Sequence, residues 1–194
     1  MALPIPSREA RVVALYVPSS PSELCDLLGI GYSDRQREMM DRLARSSGAV
    51  DERLDDPDWA GDPLRAAMMA ALWRVLHCPG SRATILAPSR PDSTLCDDLG
   101  HTAMGFLAEV CIARDVCLRS VTTIRQWNRI EFAGEDGWEV RLVPNVPAMA
   151  SEAASRSLIG VVLDAGNSQP TFVEAQRELE KLLGDPRALL IRLW

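Results

Sequence analysis

Lysine is almost absent from this chain: 20 of its 21 basic residues are arginine, and Lys181 stands alone. Chemistry that needs a lysine at a set position is open only where residue 181 sits. No apolar run approaches the ~18 residues that cross a bilayer, and Met1–Arg8 lacks the basic start and apolar stretch of a secretory leader. Both absences predict a cytoplasmic protein without a membrane partner. The five cysteines (Cys25, Cys78, Cys96, Cys111, Cys117) contain no C-x-x-C pair, and neither histidine, His77 or His101, falls in an H-E-x-x-H spacing. The common zinc and dithiol motifs are thereby excluded, leaving five reduced, mostly buried thiols and no metal site. A basic surplus is missing as well, since the net charge is −6. Neutralised phosphates supply much of DNA affinity, so a protein or small-molecule partner is favoured over DNA. Arg119, Arg125 and Arg129 are the one local basic group in DNA's favour.

What is present suits one folded domain: 194 residues, 47% apolar and 25% charged. Residues 1–21 read as an N-terminal arm with a short apolar run, Val12 to Val17, between prolines. Ser22 is placed to cap a helix over 23–28 that Gly29 closes, and Ser33 to cap another over 34–44. The stretch 46–63 is acidic and poor in apolar residues, which predicts a loop. Pro63 suits the first position of a helix to about His77, striped by Leu64, Ala67, Met68, Ala71, Leu72 and Val75. A helical pattern covers 92–114, small residues suggest a helix over 148–157, and 171–183 is helical. Strands are predicted at 83–87, 118–124, 129–132, 138–144, 158–163 and 188–193, with a hairpin turn at 133–137. Helix and strand alternate and the strands are apolar on both faces. The fold class is therefore α/β, a three-layer sandwich with a mainly parallel central sheet and one inserted antiparallel hairpin.

The order of short motifs resembles the ATPase domain of phage terminase large subunits, a P-loop motor fold. Leu27-Leu-Gly-Ile30 with Gln36-Arg-Glu38, then Gly61-Asp-Pro63, Leu72-Trp73, Pro79-Gly80, Ala87-Pro-Ser-Arg90, the hairpin at Gly134–Gly137, Leu163-Asp164-Ala165 and Leu190-Ile-Arg192 follow the family's sequence of pieces over 22–194. The resemblance implies an adenine-pocket segment, a phosphate loop, a strand ending in the magnesium and water carboxylates, and a coupling strand.

The departures fall on the chemistry. A phosphate loop needs successive backbone N–H groups, a lysine for the β- and γ-phosphates and a hydroxyl for magnesium. Here the lysine slot is Asp62 and the hydroxyl slot is Pro63, which has no N–H, in a loop that also carries Asp55, Asp56 and Asp58. Asp164 survives in the magnesium slot, but the water-orienting carboxylate is replaced by Ala165. The family's nuclease domain has no counterpart in these residues. Gly61, Asp62, Pro63, Asp164 and Ala165 are thus a vestigial nucleotide site with no cofactor, catalytic residue or metal expected. An Asp at a strand end more commonly caps the next turn than holds an ion.

These departures imply a non-catalytic, terminase-like phage or prophage protein of the host cytoplasm. Its expected role is to bind a packaging component or a host factor. The acidic stretch is either a solvated connector or a docking element, with Asp55, Asp56 and Asp58 steering a basic partner and Trp59 as anchor. Two alternatives stay open: a divergent nucleotide-binding packaging ATPase using Arg53 or Arg65 for the lysine, and a DNA-binding packaging accessory. The five tryptophans (Trp59, Trp73, Trp127, Trp138, Trp194) are core material by default.

Overall fold

Seven strands form one sheet in the order β1-β7-β6-β2-β5-β4-β3. The computed structural model describes residues 18–53, 63–88, 98–113, 118–124, 129–134 and 137–194. Most of the expected arm, the acidic residues 54–62 with Trp59, and Cys96, Cys117 and Trp127 lie outside these. The strands are β1 (Gly48–Glu52), β2 (Arg82–Leu86), β3 (Leu118–Ile124), β4 (Arg129–Gly134), β5 (Glu139–Val143), β6 (Ile159–Val162) and β7 (Leu189–Leu193). The first five in the order pair in parallel, whereas β4 runs antiparallel to both β5 and β3. The predicted hairpin is thus one half of a three-strand antiparallel extension.

The helices are α1 (Pro21–Leu28), α2 (Asp34–Arg45), α3 (Pro63–His77), α4 (Asp98–Ala108), α5 (Pro147–Ala154) and α6 (Pro170–Glu180). A π-helical turn, Glu109–Ala113, continues α4, and a 3₁₀ turn, Lys181–Gly184, continues α6. Buried residues of α1 to α4 form one core with Ile85, Val161 and Ile191 of the sheet. Those of α5 and α6 form a second core with Leu86, Val162 and Leu190. Alternate residues of each strand therefore feed opposite layers, which is the three-layer arrangement that the two-faced apolar strands require.

Helix α3 is buried nearly all round. Beyond the predicted stripe, Ala66, Met69 and Ala70 are also inaccessible, because other helices of that layer cover the side turned away from the sheet. Each such Leu or Met side chain contributes about 2 kcal/mol of apolar burial. Gly160 of β6 has a packing reason: a Cβ there would lie 2.7 Å from side-chain carbons of both Leu182 and Leu190.

Two expectations need correcting. The first helix is capped by Ser20, whose hydroxyl accepts the Glu23 N–H, because Pro21 takes the first helical position. Ser22 instead donates to Asp41 of α2 at 2.8 Å, tying the two helices together. The second correction matters more: 46–63 is not all loop. Gly48–Glu52 is a strand on the sheet edge, paired with β7 from Gly48↔Leu189 to Glu52↔Leu193. Its sequence GAVDE hides this, since on an edge strand Ala49 and Asp51 face solvent and only Val50 and Glu52 turn inward.

Candidate functional site

In an open parallel sheet, ligands gather at the carboxyl ends of the strands. At that end of this sheet lie Glu52 and Arg53 after β1, Ala87 and Pro88 after β2, Asp164 after β6 and Trp194 after β7. Strand β1 and helix α3 are consecutive elements on either side of 54–62, and a strand before and a helix after is the context in which a phosphate loop is found.

Of the five residues of the expected vestigial site, Pro63, Asp164 and Ala165 are described. Pro63 opens α3 as a buried residue and offers no N–H at the helix start. Gly61 and Asp62 lie outside the described residues, as do the docking candidates Asp55, Asp56, Asp58 and Trp59. Asp164 adopts φ 54°, the only non-glycine residue with positive φ among those described. Its carboxylate accepts the Asn167 side-chain amide at 3.0 Å and its carbonyl accepts the Asn167 N–H at 3.0 Å. The group in the magnesium slot thus caps a tight turn, and Asp is one of the few side chains that tolerates this conformation. Ala165, in the water-orienting slot, is buried; its N–H donates to the Leu193 carbonyl at 2.6 Å.

The candidate lysine substitutes also have positions. Arg65, in the first turn of α3, has its guanidinium 5.4 Å from the centre of the Phe106 ring, a cation–π contact. Arg53 is exposed just after β1. Lys181 is at the other end of the sheet, beside Ser81, Leu158 and Arg187, which precede β2, β6 and β7. There it donates to Glu178 at 2.5 Å and lines a groove of about 670 Å³ with Cys78, Arg156 and Arg187.

The carboxyl end is knit instead by residues whose role the sequence reading missed. Asp51 accepts from Arg192 Nε at 2.7 Å and Nη2 at 3.0 Å, and from the Trp194 indole N–H at 3.2 Å. Arg192 also reaches Glu180 at 3.4 Å. Glu52, on the inward face of β1, is buried and accepts from Arg42 of α2 at 2.6 Å. The Trp194 N–H donates to the Glu52 carbonyl at 2.9 Å, extending the β1–β7 ladder by one bond. Its ring lies on Gly166, where a Cβ would sit 3.4 Å from the indole, yet Trp194 stays 49% exposed. The signal available beforehand was Arg192 opposite an acidic stretch, which only the β1–β7 register converts into a contact.

Other candidates resolve plainly. Cys25 and Cys111 are buried, and burial pushes both thiols up to about 12. Cys78 is exposed. Trp138 is in the core, Trp73 is half-buried with its indole donating to the Pro18 carbonyl at 2.7 Å, and Trp194 is on the surface. Among the described residues no three His, Cys, Asp or Glu side chains are grouped to hold a metal, and no helix is long and apolar enough to cross a membrane. Compared with models of known protein families and with curated protein sequences, the chain matches none.

Proposed function

We propose that this chain is a non-catalytic, terminase-like phage or prophage protein that binds a protein partner through the carboxyl end of its sheet. The observation that carries this reading is that β1 and α3 flank the segment which the resemblance makes the phosphate loop, while the residues that loop's chemistry needs are replaced. Pro63 opens the helix, Asp62 stands in the lysine slot of the sequence, and Asp164 is committed to a turn with Asn167. The single lysine supports the same conclusion, because it pairs with Glu178 beside the amino ends of β2, β6 and β7. A nucleotide motor would need a cation where this protein has carboxylates. What the sequence offers instead is the acidic stretch 51–62, consistent with the net charge of −6 and with capture of a basic protein surface from a packaging component or host factor.

The experiment is an ATP turnover assay with magnesium on the whole chain, run beside Arg53→Ala and Arg65→Ala. The reading expects phosphate release no faster than the buffer blank in all three. Turnover that either substitution abolishes would identify a working divergent ATPase and end it.

A further inference from the structure

The most prepared surface feature at the carboxyl end of the sheet is Trp194. A half-exposed tryptophan is ordinarily a mobile ring, but this one is fixed at three points. Its indole N–H is held by Asp51, its backbone N–H by Glu52, and one ring edge rests on Gly166. Ordering entropy that binding would otherwise cost is already spent in the fold. Among the described residues around the ring the carboxylates Asp51, Glu180 and Asp164 outnumber the cations Arg192 and Arg53 by one, and Asp51 and Glu180 both pair with Arg192. The electron-rich indole face and the surplus carboxylates favour the same ligand chemistry, a planar guanidinium that stacks on the ring and pairs with an acid.

We propose that Trp194, with Asp51 holding its indole, is the anchor of a docking surface for an arginine-bearing segment of a partner protein. This rests on the reading that the chain acts by binding, and it places the anchor at Trp194 instead of Trp59. Tryptophan and arginine are the residues most enriched at interface hot spots, and a ring already locked in place is how an anchor gains affinity. Duplex DNA is disfavoured here by the same carboxylates.

The test follows the Trp194 indole N–H resonance, assigned by its loss in Trp194→Phe, as an arginine nonapeptide, a glutamate nonapeptide and a DNA duplex are added separately. Only the arginine peptide should move it. Trp194→Ala should raise the arginine-peptide Kd about ten-fold. Gly166→Leu, which displaces the ring without altering charge, should raise it by a similar factor while the fold remains intact. Raising salt should weaken binding of the wild-type protein while leaving a difference between it and Trp194→Ala. An arginine-peptide Kd changed less than two-fold by both substitutions, or equal response to the glutamate peptide or DNA, would overturn the proposal. Such a result alongside absent ATP turnover sinks the anchor alone; ATP turnover sinks the functional reading beneath it.

Discussion

Two tryptophans lie on two glycines at opposite ends of this sheet, and their fates differ. At the amino end of β5, Trp138 is 2% exposed and stacks so closely on Gly134 that any Cβ there would fall inside the indole ring. At the carboxyl end of β7, Trp194 touches Gly166 at ordinary van der Waals distance and keeps half its surface in solvent. The first pair is packing that the fold cannot lose. The second is an aromatic surface held in position, which is what a binding protein needs and a core does not. The same tryptophan-on-glycine device thus serves the core at one end and, in the proposal above, recognition at the other.

The contrast predicts unequal costs. Trp138→Ala should destabilise by about 3–5 kcal/mol and Gly134→Ala by about 1–3 kcal/mol, by cavity formation and overpacking respectively. Trp194→Ala and Gly166→Ala should each cost under about 1 kcal/mol. Urea unfolding of the four variants measures this, and equal losses at both ends would erase the distinction.

Ion pairs sharpen the comparison on a smaller scale. Arg42→Ala strands the buried Glu52 carboxylate and should cost about 1–2 kcal/mol, less than a fully enclosed pair because Arg42 is half exposed. Lys181→Ala at the opposite end removes an exposed pair and should cost under about 0.5 kcal/mol. If Lys181 proves the costlier of the two, the carboxyl end is not the better-built one.

Asp164 tests whether the carboxylate that follows β6 is a turn residue. Asp164→Asn, which tolerates positive φ, and Asp164→Gly should be nearly neutral, whereas Asp164→Ala should lose about 1 kcal/mol. Stability rising with magnesium in the wild type and not in Asp164→Asn would restore an ion-binding role.

Thiol reactivity separates core from surface without an energy scale. With their thiols pushed up to about 12, Cys25 and Cys111 should react with a thiol reagent only after unfolding. Cys78→Ser should lower the native labelling count by one, and Cys25→Ser should leave it unchanged.

The smallest effect is at the amino-end groove. Hydrogen bonds from the Arg187 side chain and backbone hold the Asp185 carboxyl down to about 2. A depressed carboxyl stabilises the fold above its unfolded value of 3.8 and loses that contribution as pH falls through about 2. Melting curves of wild type and Asp185→Asn should therefore draw together as pH falls below 4 and meet only below about pH 2, and a gap that does not narrow over that range would contradict the assignment.

Much of this was legible beforehand because apolar periodicity is a strong signal in long or fully buried elements. Helix α3 begins at the predicted Pro63, Ser33 and Gln36 form a reciprocal cap on α2, and the strands near 83–87, 158–163 and 188–193 are adjacent in one parallel sheet. What escaped was decided by partners far along the chain. Strand β1 has two inward side chains and exists because β7 supplies its ladder, a contact across about 140 positions of sequence that composition cannot reveal. The Trp194 site escaped for the same reason, since Asp51 and Gly166 meet that ring only through the β1–β7–β6 register.

A calorimetric titration of the whole chain with Mg·ATP bears most directly on the claim that this site no longer serves a nucleotide. The account predicts no saturable heat up to millimolar nucleotide. A saturable isotherm that Arg53→Ala or Asp164→Asn weakens ten-fold or more would contradict it.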